Sequence, residues 1–391
     1  MEKMKKAIIA ILTAVLLLCS VGVAGCKSSG KDDKENSGKN NGTIKFICSL
    51  PASEGLEYAL TEEGDGYAVV GMGTCTDVDV VIPSEYNGKA VTSLDELLYF
   101  SGRSITIPKS IKSIKIPNIT ISYYLPYIII NYLGTIDNWC EINFDEGYLF
   151  LRKNYFYING NIVENVNITT AKKINAWAFS GCSTIKSVAI GSSVKEIGGS
   201  AFCQCGALTS VAIGNSVTTI GERAFDGCDS LTSVSMGKNV KEIGGGAFVF
   251  CINLQNITLP NSLTNIGEIG LFYNKELLNC KEYKNGLYIG SADNPYLILL
   301  GVSNVSEKKF EIHDKCKFLH HYAFYCCNNL TEVTVPKSVK YICRDAFYNC
   351  KALSKLNYAG SMAQWQELEK GNLDEFISKI NCSDGVIETS K

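Results

Sequence analysis

Cys316, His320, His321, Cys326 and Cys327 fall within twelve residues, and no other stretch of the 391-residue chain gathers so many donors that a transition metal takes. Zinc needs about four converging donors, and structural sites usually draw them from Cys-x-x-Cys or His-x-x-x-His pairs. Neither spacing occurs here, so no metal site is assigned. Acid–base chemistry is equally short of parts, because the chain holds only three His. Asp137, Glu141, Asp145 and Glu146, or Glu367, Glu369, Asp374 and Glu375, could form carboxylate pairs, but they read better as solvated surface. No Gly-x-Ser-x-Gly elbow, phosphate-binding Gly-rich loop or His-Glu-x-x-His is present. The chain is therefore expected to be no enzyme, with no catalytic residue and no cofactor.

Charge removes another class. With 37 Lys+Arg against 39 Asp+Glu the formal net charge is −2, which lacks the basic footprint of a nucleic-acid binder. A hydrophobic content of 46% with 19% charged residues is too apolar for a disordered chain.

The N-terminus reads as an address. Lys3, Lys5 and Lys6 precede an apolar run from Ala7 to Gly25, which ends in Val23-Ala24-Gly25-Cys26. Small residues directly before a cysteine resemble a bacterial lipoprotein signal over residues 1–26, with lipid attachment at Cys26. An uncleaved anchor or an ordinary secretory peptide are the alternatives, and each places the mature chain outside the cytoplasmic membrane. Residues 27–43 (KSSGKDDKENSGKNNGT) have nothing to bury and form a flexible linker.

The elements that remain are set by a repeat. Ala-Phe recurs at Ala178-Phe179, Ala201-Phe202, Ala224-Phe225 and Ala247-Phe248 in steps of 23, with Gly270-Leu271 next, and resumes at Ala323-Phe324 and Ala346-Phe347. Leu208, Leu231, Leu254 and Leu277 keep the same step. Val211-x-Ile213 alternates as a strand does, Gly214 or Pro260 turns the chain, and Ala-Phe-x-x-Cys has the spacing of one buried helical turn. One 23-residue coil cannot cover its own apolar residues; stacked coils can.

The segments LTSVAIGNSVTTIGERAFDGC (Leu208 to Cys228) and LTEVTVPKSVKYICRDAFYNC (Leu330 to Cys350) resemble the BspA-like leucine-rich repeat family of bacterial surface proteins. The strong match covers about Ile168 to Leu278 and Lys315 to Tyr358. The expected fold is a leucine-rich-repeat solenoid of 23-residue coils, with parallel β strands, short helical turns on the other side, hairpin insertions and helical caps. Residues 44–150 form an irregular first array with a cap. Residues 151–391 form the second, with a hairpin insertion at 279–308 on the coil edge and a cap at 358–391.

Asn159-Gly160 and Asn285-Gly286 mark the two hairpins. Tyr132-x-Gly-Thr-x-x-x-Trp139 and Tyr358-x-Gly-Ser-x-x-x-Trp365 share one spacing, as expected of short helices whose Trp covers the last open coil; an aromatic ligand box is the weaker alternative. Cys182, Cys205, Cys228, Cys251, Cys327 and Cys350 share one repeat position and are expected to be free, buried fillers.

Outward strand positions supply the candidate binding face: Lys186, Ser187 and Ala189; Thr209, Ser210 and Ala212; Thr232, Ser233 and Ser235; Gln255, Asn256 and Thr258; Thr331, Glu332 and Thr334. They are small, polar and almost uncharged, which suits weak or multivalent recognition, and a merely solvated sheet is the competing reading. The family resemblance implies adhesion, with extracellular or surface proteins or glycans as partners, the membrane reached through the lipid anchor, and a cell-surface location. The alternatives are a structural or envelope-organising lipoprotein without an external ligand and, more remotely, an enzyme domain within residues 46–150.

Overall fold

The computed structural model describes residues 51–95, 103–115, 128–145, 154–267, 278–371, 373, 377 and 379–388. All of them lie in one compact unit, Lys45–Lys391. The expected signal peptide, Cys26 and the linker lie outside the described residues, as do Gly270-Leu271, Leu277, Glu146, Asp374 and Glu375.

Between residues 165 and 266 each coil repeats the last. Val211 and Ile213 are buried and Ala212 is exposed, as the alternation predicts. The strand Ser210–Ile213 pairs in parallel with Ser187–Ile190 and Ser233–Ser235, so that Val188, Val211, Val234 and Ile257 stand above one another. A second, shorter parallel ladder aligns Ile174, Ile197, Ile220, Ile243 and Ile266. Between the ladders Phe179, Phe202, Phe225 and Phe248 form a column of parallel rings, with centroids 5.1, 5.3 and 5.4 Å apart. None of the four rings is exposed.

The Ala-Phe segment is not helical. Its turns close by N–H to carbonyl bonds over three residues, as from Cys182 to Phe179, and Trp177, Ser200, Arg223 and Gly246 each adopt positive φ. A left-handed residue in each coil breaks any helix before it starts, and frees the main chain to bond the neighbouring coil instead. Phe179 N–H donates to Ala201 O, Phe202 N–H to Ala224 O and Phe225 N–H to Ala247 O, at 2.7 to 2.9 Å. This third ladder replaces the helical turns expected on that side. It also demands glycine at Ile-Gly: a Cβ on Gly221 would lie 2.5 Å from Gly199 N of the preceding coil.

The first part of the chain is also coiled, on a longer step. Val80 pairs with Ile105 and Ile105 with Ile130, 25 residues apart, and Ile130 pairs with Phe156 at 26. The strand Ile128–Leu133 is buried along nearly its whole length. An antiparallel strand, Glu57–Leu60, borders this region.

Three expectations change. The short helices exist, Ile136–Cys140 capped by Thr135 and Met362–Glu367 capped by Ser361, but they are not terminal lids. Trp139 sits inside a core that continues from Leu56 to Phe318, with Phe156 against one side of its indole and Nε1–H donating to Ala178 O at 2.6 Å. The Met362–Glu367 helix is likewise followed by the strand Lys379–Cys382, paired in parallel with Lys355–Tyr358, and by the antiparallel strand Gly385–Glu388. The core therefore does not part at about residue 150.

It parts at the insertion, which is no ornament on the coil edge. Gly286–Ile289 and Ile298–Val302 pair as an antiparallel hairpin, and Ile298–Val302 is buried throughout. Ile298 and Leu300 join the first core, while Leu299 and Val302 join a second that contains Phe310, Phe324, Phe347 and Trp365. A strand with apolar side chains on both faces is thus a wall between two cores. The preceding turn also differs from expectation: positive φ falls at Lys284 and Asn285, one residue earlier than Asn285-Gly286, whereas Asn159 and Gly160 turn as expected.

Candidate binding face

Twelve of the fifteen outward positions lie in or beside the long ladder and Thr331, Glu332 and Thr334 in the sheet beyond the insertion, and the structure gives them different roles. Thr209, Thr232 and Thr331 donate their hydroxyls to the carbonyls of Lys186, Thr209 and Lys308, about 3 Å away and 23 residues back. These threonines tie coil to coil. Lys186 pairs with Glu164 at 2.7 Å and Ser187 donates to Asn165 Oδ1 at 2.6 Å. Asn256 accepts from the Asn279 amide. Ser210, Ser233, Ser235, Gln255 and Thr258 have no side-chain partner among the described residues, and they lie beside the exposed methyls of Ala189 and Ala212. This uncharged row on adjacent strands is free to meet a ligand.

Beyond the insertion the same face is charged, contrary to the expectation of an almost neutral strip. Glu332 accepts from Lys309 at 2.9 Å, from Lys355 at 3.1 Å and from the Asn357 amide. The Lys309, Asn357 and Lys355 donors together hold its carboxyl down at about 2. Thr334 lies beside it, and Lys284 pairs with Glu311 at 2.6 Å. Lys309 and Lys355 were within reach of sequence reasoning, since each lies one coil from Glu332.

The remaining chemistry-bearing residues do not converge. Cys316 donates to Phe318 O, His320 is buried with Nδ1 2.8 Å from His321 O, His321 Nε2 lies 3.6 Å from Asp345, and Cys326 accepts from the Asn349 amide. Among the described residues no three His, Cys, Asp or Glu side chains gather as metal ligands would. Asp137 accepts main-chain N–H groups from Thr169, Thr170 and Ala171 at 2.8 to 2.9 Å, and Glu141 accepts from Lys172 N–H. Burial raises the Asp137 carboxyl, but these donors outweigh it and hold the group below its usual range. Its task is to clamp the next coil.

The repeated cysteines do more than fill space. Cys205, Cys228, Cys251 and Cys350 donate Sγ–H to the carbonyls of Phe179, Phe202, Phe225 and Phe324 at 3.0 to 3.2 Å. Burial pushes the Cys205 and Cys228 thiols well above the ordinary thiol range, so they stay protonated donors. The fourteen cysteines among the described residues form no disulfide. Among those residues no helix is long and apolar enough to cross a membrane.

No curated protein matches the sequence. A leucine-rich repeat protein from Bacteroides ovatus is 22% identical, with 85% of this chain and 78% of that one covered and a TM-score of 0.43. A leucine rich cell surface protein from Faecalibacterium prausnitzii is 18% identical, covering 82% of this chain and 98% of its own, with a TM-score of 0.27. The pneumococcal vaccine antigen PcpA is 18% identical over 88% of this chain and 90% of its own, with a TM-score of 0.32. The profile of the BspA type leucine rich repeat region matches six copies over residues 150–279 and 302–369, about half of the sequence. With that span matched, and the same coils stacked in the structure, the chain belongs to the BspA-type leucine-rich repeat family.

Proposed function

We propose that the protein is a non-enzymatic, lipid-anchored surface protein that binds extracellular proteins or glycans through its long strand ladder and thereby serves adhesion. The observation that carries this reading is the row Ser210, Ser233, Ser235, Gln255 and Thr258, polar groups without an internal partner repeated from strand to strand. Such a row lacks aromatic or Arg anchors, so affinity comes from many weak contacts along the ladder. The lipid at Cys26 and the linker over residues 27–43 would hold the solenoid outside the membrane while leaving it free to reach a partner.

The test is an array of matrix proteins, mucins and glycans probed with the mature protein and with a variant carrying Ser210→Glu, Ser233→Glu and Ser235→Glu. These side chains point outward, so folding should survive, and binding should fall at least tenfold. An array on which wild type binds nothing, or on which the triple variant binds as well as wild type, removes the reading. The anchor has its own test: Cys26→Ala should abolish incorporation of labelled palmitate into the protein, and wild type that takes up no label removes the lipid anchor.

A further inference from the structure

Strands within the long ladder are bonded on both sides, to the strand one coil before and the strand one coil after. Lys309–Glu311 is bonded on one side only. Toward Glu332–Val335 its groups are engaged: Thr331 N–H reaches Lys308 O at 2.8 Å and Ile312 N–H reaches Thr334 O at 3.1 Å. Successive residues of a strand direct their main-chain groups to opposite edges. The N–H and C=O of Lys309 and Glu311 therefore face away, and among the described residues they have no partner.

The rung that would have met them is diverted. Asn279 starts it, with its N–H on Gln255 O at 3.0 Å, and the chain then leaves the ladder as the hairpin Lys281–Tyr283 and Gly286–Ile289. A groove of about 370 Å³ runs over the outward face of this strand, walled by Glu332 and Thr334 on the bonded side and elsewhere by Lys284, Asn285 and Glu307. Phe310 is buried beneath, while Lys309 and Glu311 point outward.

We propose that this edge takes an extended segment of a partner protein as an added strand. Main-chain bonds to Lys309 and Glu311 supply the affinity. The charges define the segment: an acidic residue that shares Lys309 with Glu332, a basic or polar one that shares Glu311 with Lys284, an apolar β-branched residue between them beside Phe310, and no proline. The molecule already satisfies most of this recipe on the opposite edge, where Glu332 stands beside Lys309 and Val333 beside Phe310. The site is separate from the serine row, so the Ser210, Ser233 and Ser235 variant leaves it unchanged and the two readings fail independently.

The probe is a fluorescein-labelled peptide of residues 329–335 (Asn-Leu-Thr-Glu-Val-Thr-Val), titrated with the full-length protein and followed by anisotropy. Two further peptides carry N-methyl groups on one or the other set of alternate amides. Glu311→Pro supplies the matching change in the protein, because the N–H it deletes is unbonded and proline is accepted on such an edge. Saturable binding that one methylated set and Glu311→Pro each weaken at least tenfold, while the other set keeps it, supports the proposal. Absence of saturable binding, or binding that neither methylated set weakens more than threefold, overturns it. Should Glu311→Pro lower the melting temperature, the methylated peptides decide alone.

Discussion

His320 shows how far one side chain can be constrained by its place in a coil. It occupies the position held by Gly198, Gly221 and Gly244 elsewhere, where the preceding coil leaves no room for a Cβ. At His320 it is the wall strand, and not a regular coil, that precedes. Its Nε2 is buried without a hydrogen-bond partner, and burial lowers its pKa to about 4. The unfolded chain binds this proton near pH 6.5 and the folded chain only near 4, so stability is full above 6.5 and declines as pH falls toward 4. The loss is on the order of 3 kcal/mol across that window. Denaturant melts at pH 7, 5.5 and 4 should show it, and His320→Asn should flatten the profile; Asn already serves at the equivalent Asn175. A wild-type profile as flat as the variant's would show that His320 is not held neutral. From the sequence His320 read as a possible metal donor, because spacing lists neighbours along the chain and cannot say that one imidazole lies under a wall.

Among the elements, the coil was the most legible. Ala-Phe every 23 residues announced the Phe column, since only stacking brings residues so far apart into one environment. Phe225→Ala should cost about 3 to 5 kcal/mol. Gly221→Ala adds a single methyl where 2.5 Å is available and should cost about 1 to 3 kcal/mol or more, although Ala is the better residue in most other settings. Urea midpoints measure both, and a neutral Gly221→Ala would mean that adjacent coils can move apart. What the periodicity hid has physical reasons. The 25- and 26-residue coils share no common step with the rest, so Val80, Ile105 and Ile130 fell out of register with any search at 23. The turn was misread because a spacing of i, i+1 and i+4 places side chains alike on a helix and on a non-helical loop; the positive φ at Ser200 and Arg223 leaves no mark in residue type. The binding face was half legible: outward positions follow from alternation, whereas which threonines are already spent on the coil before depends on distances.

For the whole molecule the decisive feature is the wall, Ile298–Val302. The long ladder ends at Asn256–Thr258 and resumes at Lys309–Glu311, the short one ends at Asn265–Ile266, and the wall is a rung of the next short ladder through its parallel pairing with Phe318–Leu319, so the two cores share this strand. Cooperative unfolding follows shared burial, and two cores imply two cooperative units. Trp139 and Trp177 report on the first and Trp365 on the second. Fluorescence of Trp365→Phe and of the double variant Trp139→Phe with Trp177→Phe should give separate midpoints in guanidinium, and coincident curves would show a single unit. The hairpin was visible in the sequence as Asn285-Gly286 ahead of the apolar Leu287-Tyr-Ile289, but its depth was not, because Leu-Ile-Leu-Leu reads the same on a rim as between two interiors.

The main-chain and thiol bonds described for the Phe column reach only from one coil to the next. A recombination event that duplicated or lost one complete copy of the coding repeat would leave each junction bonded as before. Solenoids of different reach can thus descend from a single gene without passing through a broken intermediate.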